Sequence, residues 1–144
     1  MPKSLVVDAS LAFRLLLPGA QQAAVQSLVA RWLADGYELH APTLWVYELT
    51  SALCKTVHFR HITAAEAERA LALAQRLGVH LVSPHDELVR SAFEWTLRLD
   101  RGAAYDSFYL ALAEMLGCEL WTADRGLERA AGKPWVRVAG VSPP

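Results

Sequence analysis

Four acidic residues stand where a carboxylate could do chemistry. Asp8 directly follows the apolar run Leu5-Val6-Val7, and Asp124 follows a second β-like run over 119–122. Asp106 falls in the first turn of a helical pattern that leads into that second run. Glu48 sits inside a helical pattern that begins near Thr43. Taken singly, each Asp has an ordinary explanation, because Asp caps helices and acids in a first turn favour the helix dipole. Glu48 resists it. Its neighbours three and four residues away are Leu44, Trp45, Ser51 and Ala52, so it projects from a largely apolar or small face. A carboxylate there needs a partner, such as a structural Arg, or a cation, since an unpaired buried charge is costly. Should the four acids meet, two like charges 4 Å apart would cost about 4 kcal/mol at an effective dielectric of 20. Either some of them hold protons at neutral pH, or a hard cation sits among them. Carboxylates and water suit Mg²⁺ or Mn²⁺. Such an ion orients a water, lowers its pKa and neutralises charge building on a phosphate, which is phosphoryl chemistry without Cys or His.

The elements that must position these acids alternate between short β-like runs and long helical ones. Residues 5–7 read as a strand and 9–17 as a helix stopped by Pro18. Residues 20–34 carry Val25, Leu28, Val29 and Trp32 on a helical period. A strand over 37–41 follows the Asp35-Gly36 turn, and a helix runs from Pro42-Thr43 to about His58. Thr63-Ala64-Ala65-Glu66 is a capping box for a helix to Leu77, ended by Gly78. Residues 79–82 read as a strand. Ser83-Pro84-His85-Asp86 resembles a further helix start, with Ser83 as cap, Pro84 at the first position and His85 in the first turn, for a helix to about Leu99. A helix over 103–116, closed by Gly117, precedes the strand 119–122; a short helix over 124–131 and a strand over 135–138 complete the pattern, before the tail Val141-Ser142-Pro143-Pro144. Strands separated by helices imply an α/β fold with a mostly parallel sheet and helices on its faces. Ligands bind beyond the carboxyl ends of such strands, where Asp8 and Asp124 fall.

Composition narrows the class. A chain of 144 residues fits a single domain spanning 1–144, and its 53% hydrophobic and 20% charged residues exclude intrinsic disorder. No apolar run approaches the roughly 20 residues that cross a bilayer. Met1-Pro2-Lys3-Ser4 leads into a strand pattern and not a signal peptide, so a soluble, cytoplasmic protein without membrane contact is expected. Cys54 and Cys118 are too few for a disulfide scaffold or a structural zinc site. The net charge of -1 excludes a polybasic tail but not a local basic groove, since 11 of the 14 basic residues are Arg, the better phosphate fork.

Four segments, in order and covering nearly the whole chain, carry a family resemblance. Val6-Val7-Asp8-Ala9-Ser10 looks like an opening strand motif ending in D-A-S, and Pro42 to Leu53 is similar to a P…E…A-L helix. Tyr105-Asp106-Ser107-Phe108-Tyr109-Leu110-Ala111-Leu112-Ala113 matches Y-D-x-x-Y-L-A-L-A, and Leu120-Trp121-Thr122-Ala123-Asp124-Arg125-Gly126-Leu127 contains T-x-D-x-x-L. Together they resemble a PIN domain, and within that group the VapC-type toxins of bacterial toxin–antitoxin pairs. The resemblance implies a three-layer α/β/α sandwich with a central, mostly parallel sheet of about five strands. It implies a metal-dependent endoribonuclease in which Asp8, Glu48, Asp106 and Asp124 bind Mg²⁺ or Mn²⁺. Thr122, and with less claim Ser10, would give polar contacts beside the metal or its water. Many relatives carry Asn where Ser51 stands, which puts local detail in doubt. The implied partners are RNA, a VapB-like antitoxin that covers the acids, and a second copy of the chain. Val25, Leu28 and Trp32 are candidates for contact with that copy, or else core.

Other residues carry weaker readings. Glu114 lies two turns beyond Asp106 but reads better as a solvated or salt-bridged acid. His58 and His61 straddle a helix end and read as surface. Trp32, Trp45, Trp95, Trp121 and Trp135 favour packing over base stacking. Arg14, Arg98, Arg101 and Arg125 are candidates to border the pocket and hold RNA phosphates, Arg125 foremost because it follows Asp124. Two other functional classes remain. One is a PIN-like module that binds nucleic acid or protein without cutting. The other is a receiver or dehalogenase-like phosphatase, which fits poorly because Ser10 stands where the latter needs an acid and Lys133 falls in a turn.

Overall fold

The computed structural model describes residues 2–139; the tail Val141–Pro144 lies outside them. Five strands and seven helices follow in the order β1 (Lys3–Val7), α1 (Ala9–Leu16), α2 (Gln22–Ala34), β2 (Tyr37–Pro42), α3 (Leu44–His58), α4 (Ala64–Arg76), β3 (His80–Val82), α5 (Asp86–Leu99), α6 (Tyr105–Leu116), β4 (Glu119–Thr122), α7 (Arg125–Ala131) and β5 (Val136–Val138). The strands form one all-parallel sheet in the order β3-β2-β1-β4-β5. From β1 the chain steps outward to β2 and β3, then returns to the other side of β1 for β4 and β5. Right-handed crossovers therefore put α1 to α4 on one face and α5 to α7 on the other. The result is the expected three-layer sandwich.

The last three residues of the central strand, Leu5, Val6 and Val7, are apolar and all buried, because both faces of the sheet are covered there. α3 turns Trp45, Leu49 and Leu53 inward at four-residue spacing. α6 is buried over Tyr109, Leu110, Ala111, Leu112 and Ala113, lying between the sheet and α5. Val25 and Trp32 belong to this core, and Leu28 packs against it, so the α2 face is occupied internally. The tryptophans pack as expected: Trp32 meets Trp121 with ring centroids 5.1 Å apart, and Trp95 meets Trp135 edge-on at 5.9 Å.

Most helix starts follow the local chemistry of the sequence. The Thr63–Glu66 capping box closes in both directions: Thr63 N donates to Glu66 Oε1 at 3.0 Å, and Glu66 N to Thr63 Oγ1 at 3.1 Å. The start of α5 differs. Its cap is His85, not Ser83: His85 is extended and its Nδ1 accepts from Leu88 N at 3.3 Å. Ser83 and Pro84 lie outside the helix, and Asp86 and Glu87 form an acidic first turn favoured by the helix dipole. α6 likewise starts at Tyr105, two residues after the expected Ala103.

Candidate active site

The order of the sheet has one topological switch point, between β1 and β4, and open parallel sheets bind ligands beyond the strand ends at such a point. Asp8 follows the last residue of β1, and its N donates to Trp121 O at 3.2 Å, joining the two strand ends. Thr122 is the last residue of β4 and Asp124 caps α7 just beyond it. α6 runs back towards the start of β4, so its first turn, with Asp106, lies at the same edge of the sheet. α3 begins just after β2, and Glu48 is one turn into it. Four segments distant in sequence thus deliver four acids to one edge.

Asp8 is the most deeply buried of them. Only 6% of it is exposed. Its Oδ1 accepts from Leu11 N at 3.0 Å, capping α1, and from Ser10 Oγ at 2.7 Å, while Oδ2 accepts from Thr122 Oγ1 at 2.5 Å. Both hydroxyls are themselves fixed: Asp124 N donates to Thr122 Oγ1 and Ala123 N to Ser10 Oγ, each at 3.0 Å. Burial pushes the Asp8 carboxyl up to about 6, against the pull of these donors, and the Asp106 charge adds to the rise.

Glu48 is half-buried. Tyr109 Oη donates to its Oε1 at 2.6 Å. Burial raises its pKa, the Tyr109 bond lowers it, and the Asp106 charge raises it again. Asp106 is also raised by burial; Arg101 opposes the shift through a 2.9 Å salt bridge to Oδ2, while Asp124 reinforces it. Asp124 is exposed, and its Oδ1 accepts from Gly126 N at 2.8 Å and Leu127 N at 3.3 Å. Asp106 is therefore the electrostatic hub, felt by Asp8 and Glu48 and itself feeling Asp124. Desolvation is the first cause at the three shifted acids, with mutual repulsion adding to it.

Among the described residues, no three His, Cys, Asp or Glu side chains already stand at ligand distances around one point. The donor set nevertheless fits a hard divalent cation. It is all oxygen, and Asp8, Glu48 and Asp106 are raised by burial and by neighbouring negative charge, an unfavourable balance that a cation offsets.

The remaining candidates separate cleanly. Arg101 reaches the acids and Arg125 is exposed on the first turn of α7 beside Asp124. Arg14 instead donates to Gln21 Oε1, and Arg98 stacks over the Trp95 ring at 4.0 Å. Glu114 is exposed, as its solvated reading expects, and also accepts from Trp95 Nε1 at 3.3 Å. His58 and His61 are exposed. Tyr109 is the residue that reading the sequence for acids missed. The available signal was its place three residues after Asp106, on the same face of α6.

The PIN domain family matches residues 5–133, nearly the whole described chain. The chain belongs to the PIN domain family. Among curated relatives of this PIN domain, ribonuclease VapC9 of Mycobacterium tuberculosis is 38% identical over 122 residues, 83% of this chain and 85% of its own. Ribonuclease VapC3 of Pyrobaculum aerophilum is 33% identical over 125 residues, 85% of this chain and 91% of its own. Solved structures agree on the fold. VapC20 of Mycobacterium tuberculosis, described as a sarcin-ricin loop cleaving toxin, superposes with a TM-score of 0.68 at 21% identity, covering 92% of this chain and 98% of that one. VapBC2 of Rickettsia felis, bound to a DNA fragment from its promoter, gives 0.69 at 9% identity, covering 94% and 96%.

Proposed function

We propose that this PIN domain is the toxin of a toxin–antitoxin pair, a divalent-metal-dependent endoribonuclease that hydrolyses RNA phosphodiester bonds. The observation that carries the reading is the electrostatic coupling of Asp106 to Asp8, Glu48 and Asp124 at the switch point of the sheet. Relatives named as VapC ribonucleases, at 33% and 38% identity over most of the chain, support the reaction class.

Asp8, Glu48, Asp106 and Asp124 would hold Mg²⁺ or Mn²⁺. The chemistry supplied by the bound ion is activation of a water and neutralisation of charge on the phosphate. The chain's own contribution is positioning. Thr122 and Ser10 fix both oxygens of Asp8, and Tyr109 fixes Glu48. Arg101 and Arg125 at the rim would hold flanking phosphates, with Arg14 a more distant candidate. Among the described residues no helix is long and apolar enough to cross a membrane.

Two protein partners belong to the reading: a VapB-like antitoxin over the acids, and a second copy of this chain. With the α2 face filled, the candidate surface for the copy is α5. There Val89, Phe93 and Leu97, spaced four apart, are 45%, 61% and 65% exposed.

The test is cleavage of a total RNA and tRNA pool by the purified, antitoxin-free protein with Mn²⁺ or Mg²⁺, with chelator, and by Asp106→Asn. Discrete fragments that vanish with chelator and in the variant are expected. A folded protein that binds RNA but cuts none with either metal would instead be a non-cutting binding module.

A further inference from the structure

Two tyrosines stand exposed immediately beside two of the acids, and nothing in the reaction described above uses them. Tyr47 precedes Glu48 and is 69% exposed; Tyr105 precedes Asp106 and is 62% exposed. Successive helix residues are rotated by about 100°, so each ring projects about a quarter turn away from its neighbouring carboxylate. Both rings line the same two adjoining clefts. One, of about 360 Å³, is walled by Leu44, Tyr47, Glu48, Ser51, Lys55 and Tyr105. The other, of about 210 Å³, is more apolar and adds Pro42, Pro84 and Phe108 to Leu44 and the two tyrosines.

Resting on the ribonuclease reading, we propose that Tyr47 and Tyr105 form a stacking subsite for an unpaired nucleobase next to the scissile phosphate. Lys55 takes the adjoining phosphate. The subsite would make this protein a reader of single-stranded or looped RNA.

Three observations favour a nucleobase over another occupant. The larger cleft is continuous with the acids, because Glu48 is part of its wall. A base seated there is covalently tied to a phosphate at those acids. The exposed surface offered is aromatic and flat, and base stacking on aromatic rings is the common device of single-strand recognition. Finally, the cleft carries a cation: Lys55 is exposed and makes no salt bridge among the described residues. It lies seven residues beyond Glu48 on α3, about 10 Å along the helix, far enough to meet a neighbouring phosphate and not the one at the acids. A base-paired duplex keeps its bases stacked on each other, so it has no free face to offer the rings.

The experiment uses the full chain carrying Asp106→Asn to block cleavage. The probe is a fluorescently labelled single-stranded oligoribonucleotide of mixed sequence, and a blunt, fully paired duplex of the same composition is the comparison. Anisotropy titrations at fixed salt give the affinities. Tyr47→Ala and Tyr105→Ala should each weaken single-strand binding by about tenfold, the size of one lost base–aromatic stack. Tyr→Phe at each position should restore it, and Tyr→Leu should not, since a leucine fills space without a π face. The duplex should bind weakly throughout. Lys55→Gln should reduce the salt dependence by roughly the contribution of one phosphate contact. With Asp106 intact, the tyrosine variants should lose cleavage through KM more than through kcat.

Unchanged affinity in both alanine variants, shown folded by circular dichroism, would overturn the subsite and point to a protein partner on this cleft. Loss in the Phe variants equal to that in the Ala variants would also overturn it, since the hydroxyl and not the ring would then be at work. Failure here is distinguishable from failure of the ribonuclease reading. Wild-type protein that cleaves, with tyrosine variants that cleave identically, removes only the subsite; wild-type protein that neither binds nor cleaves RNA removes both.

Discussion

The Tyr109 hydroxyl donates a 2.6 Å hydrogen bond to Glu48 Oε1, tying the helix that carries Asp106 to the helix that carries Glu48. The two residues are 61 positions apart in sequence. This bond lowers the Glu48 pKa, against burial and the Asp106 charge. Tyr109 itself is buried, and its own proton is held far more tightly than in water by burial and by Glu48. Its hydroxyl therefore acts as a fixed donor.

Tyr109→Phe should shift the acid limb of cleavage to higher pH. Without its donor, Glu48 takes up a proton at a higher pH, and a protonated Glu48 is a poor cation ligand. We expect roughly a tenfold loss of kcat/KM at pH 6, in line with losing a hydrogen bond to a charged group, and a smaller loss at pH 8. A pH–rate profile of the two proteins checks this. An equal loss at every pH would mean that Tyr109 acts through packing alone.

Asp8→Asn should abolish cleavage while stabilising the metal-free protein at neutral pH. The carboxyl titrates near 3.8 when solvated and at about 6 in the fold. Ionised Asp8 is thus disfavoured by folding: the penalty is absent below the solvated value, grows as pH rises between the two, and is complete above about 6. Its ceiling is about 3 kcal/mol, from a shift of roughly two units. Asn still caps α1. Thermal unfolding in chelator should give Asp8→Asn a higher midpoint than wild type at pH 8, with the difference closing towards pH 4. A lower midpoint at pH 8 would show that the Thr122 and Ser10 bonds outweigh the burial cost.

These two residues mark where the sequence was legible and where it was not. Asp8 could be read because a strand end followed by an acid is a local pattern, and in a parallel sheet strand ends are where ligands bind. The alternation of elements was legible for the same reason, since period and punctuation are local. The Glu48–Tyr109 contact was not, because it depends on how closely α3 and α6 approach. Glu48 was read as needing a partner or a cation; the partner on its Oε1 is the phenol of Tyr109, which no local pattern announced. Arg14 and Arg101 looked alike as rim candidates, but only Arg101, five residues before Asp106, reaches an acid. The apolar stripe of α2 could not be told from an interface by period alone, since both bury the same side chains. The His85 cap was hidden because imidazole accepts from a backbone N–H only as the right tautomer, which Ser83 nearby gave no reason to expect.

Phe93→Glu together with Leu97→Glu should leave the fold intact and prevent self-association. Both side chains are exposed on α5, so charges there cost little in the isolated protein, whereas two buried unpaired carboxylates per protomer would oppose a symmetric contact. Sedimentation velocity over a concentration series should show a dimer for wild type and a monomer for the variant. A wild type that remains monomeric at high concentration, or a variant that still dimerises, removes α5 as the contact surface.

Arg101→Gln should separate cation binding from RNA binding. Arg101 is an internal counter-charge, 2.9 Å from Asp106 Oδ2, in competition with any ion the four acids would hold. The pair is partly exposed, with side chains 33% and 39% accessible, so its loss should cost stability less than about 1 kcal/mol. Removing the guanidinium restores the full negative charge of Asp106 to the site, and Mn²⁺ affinity should rise a few-fold in calorimetric titration. RNA should behave in the opposite way. Once a cation displaces it from Asp106, Arg101 becomes available to a phosphate, and its removal should raise KM for cleavage. Tighter Mn²⁺ binding with weaker RNA binding is the expected signature. Mn²⁺ affinity that falls in Arg101→Gln would show that the guanidinium orients Asp106 for the ion and does not compete with it.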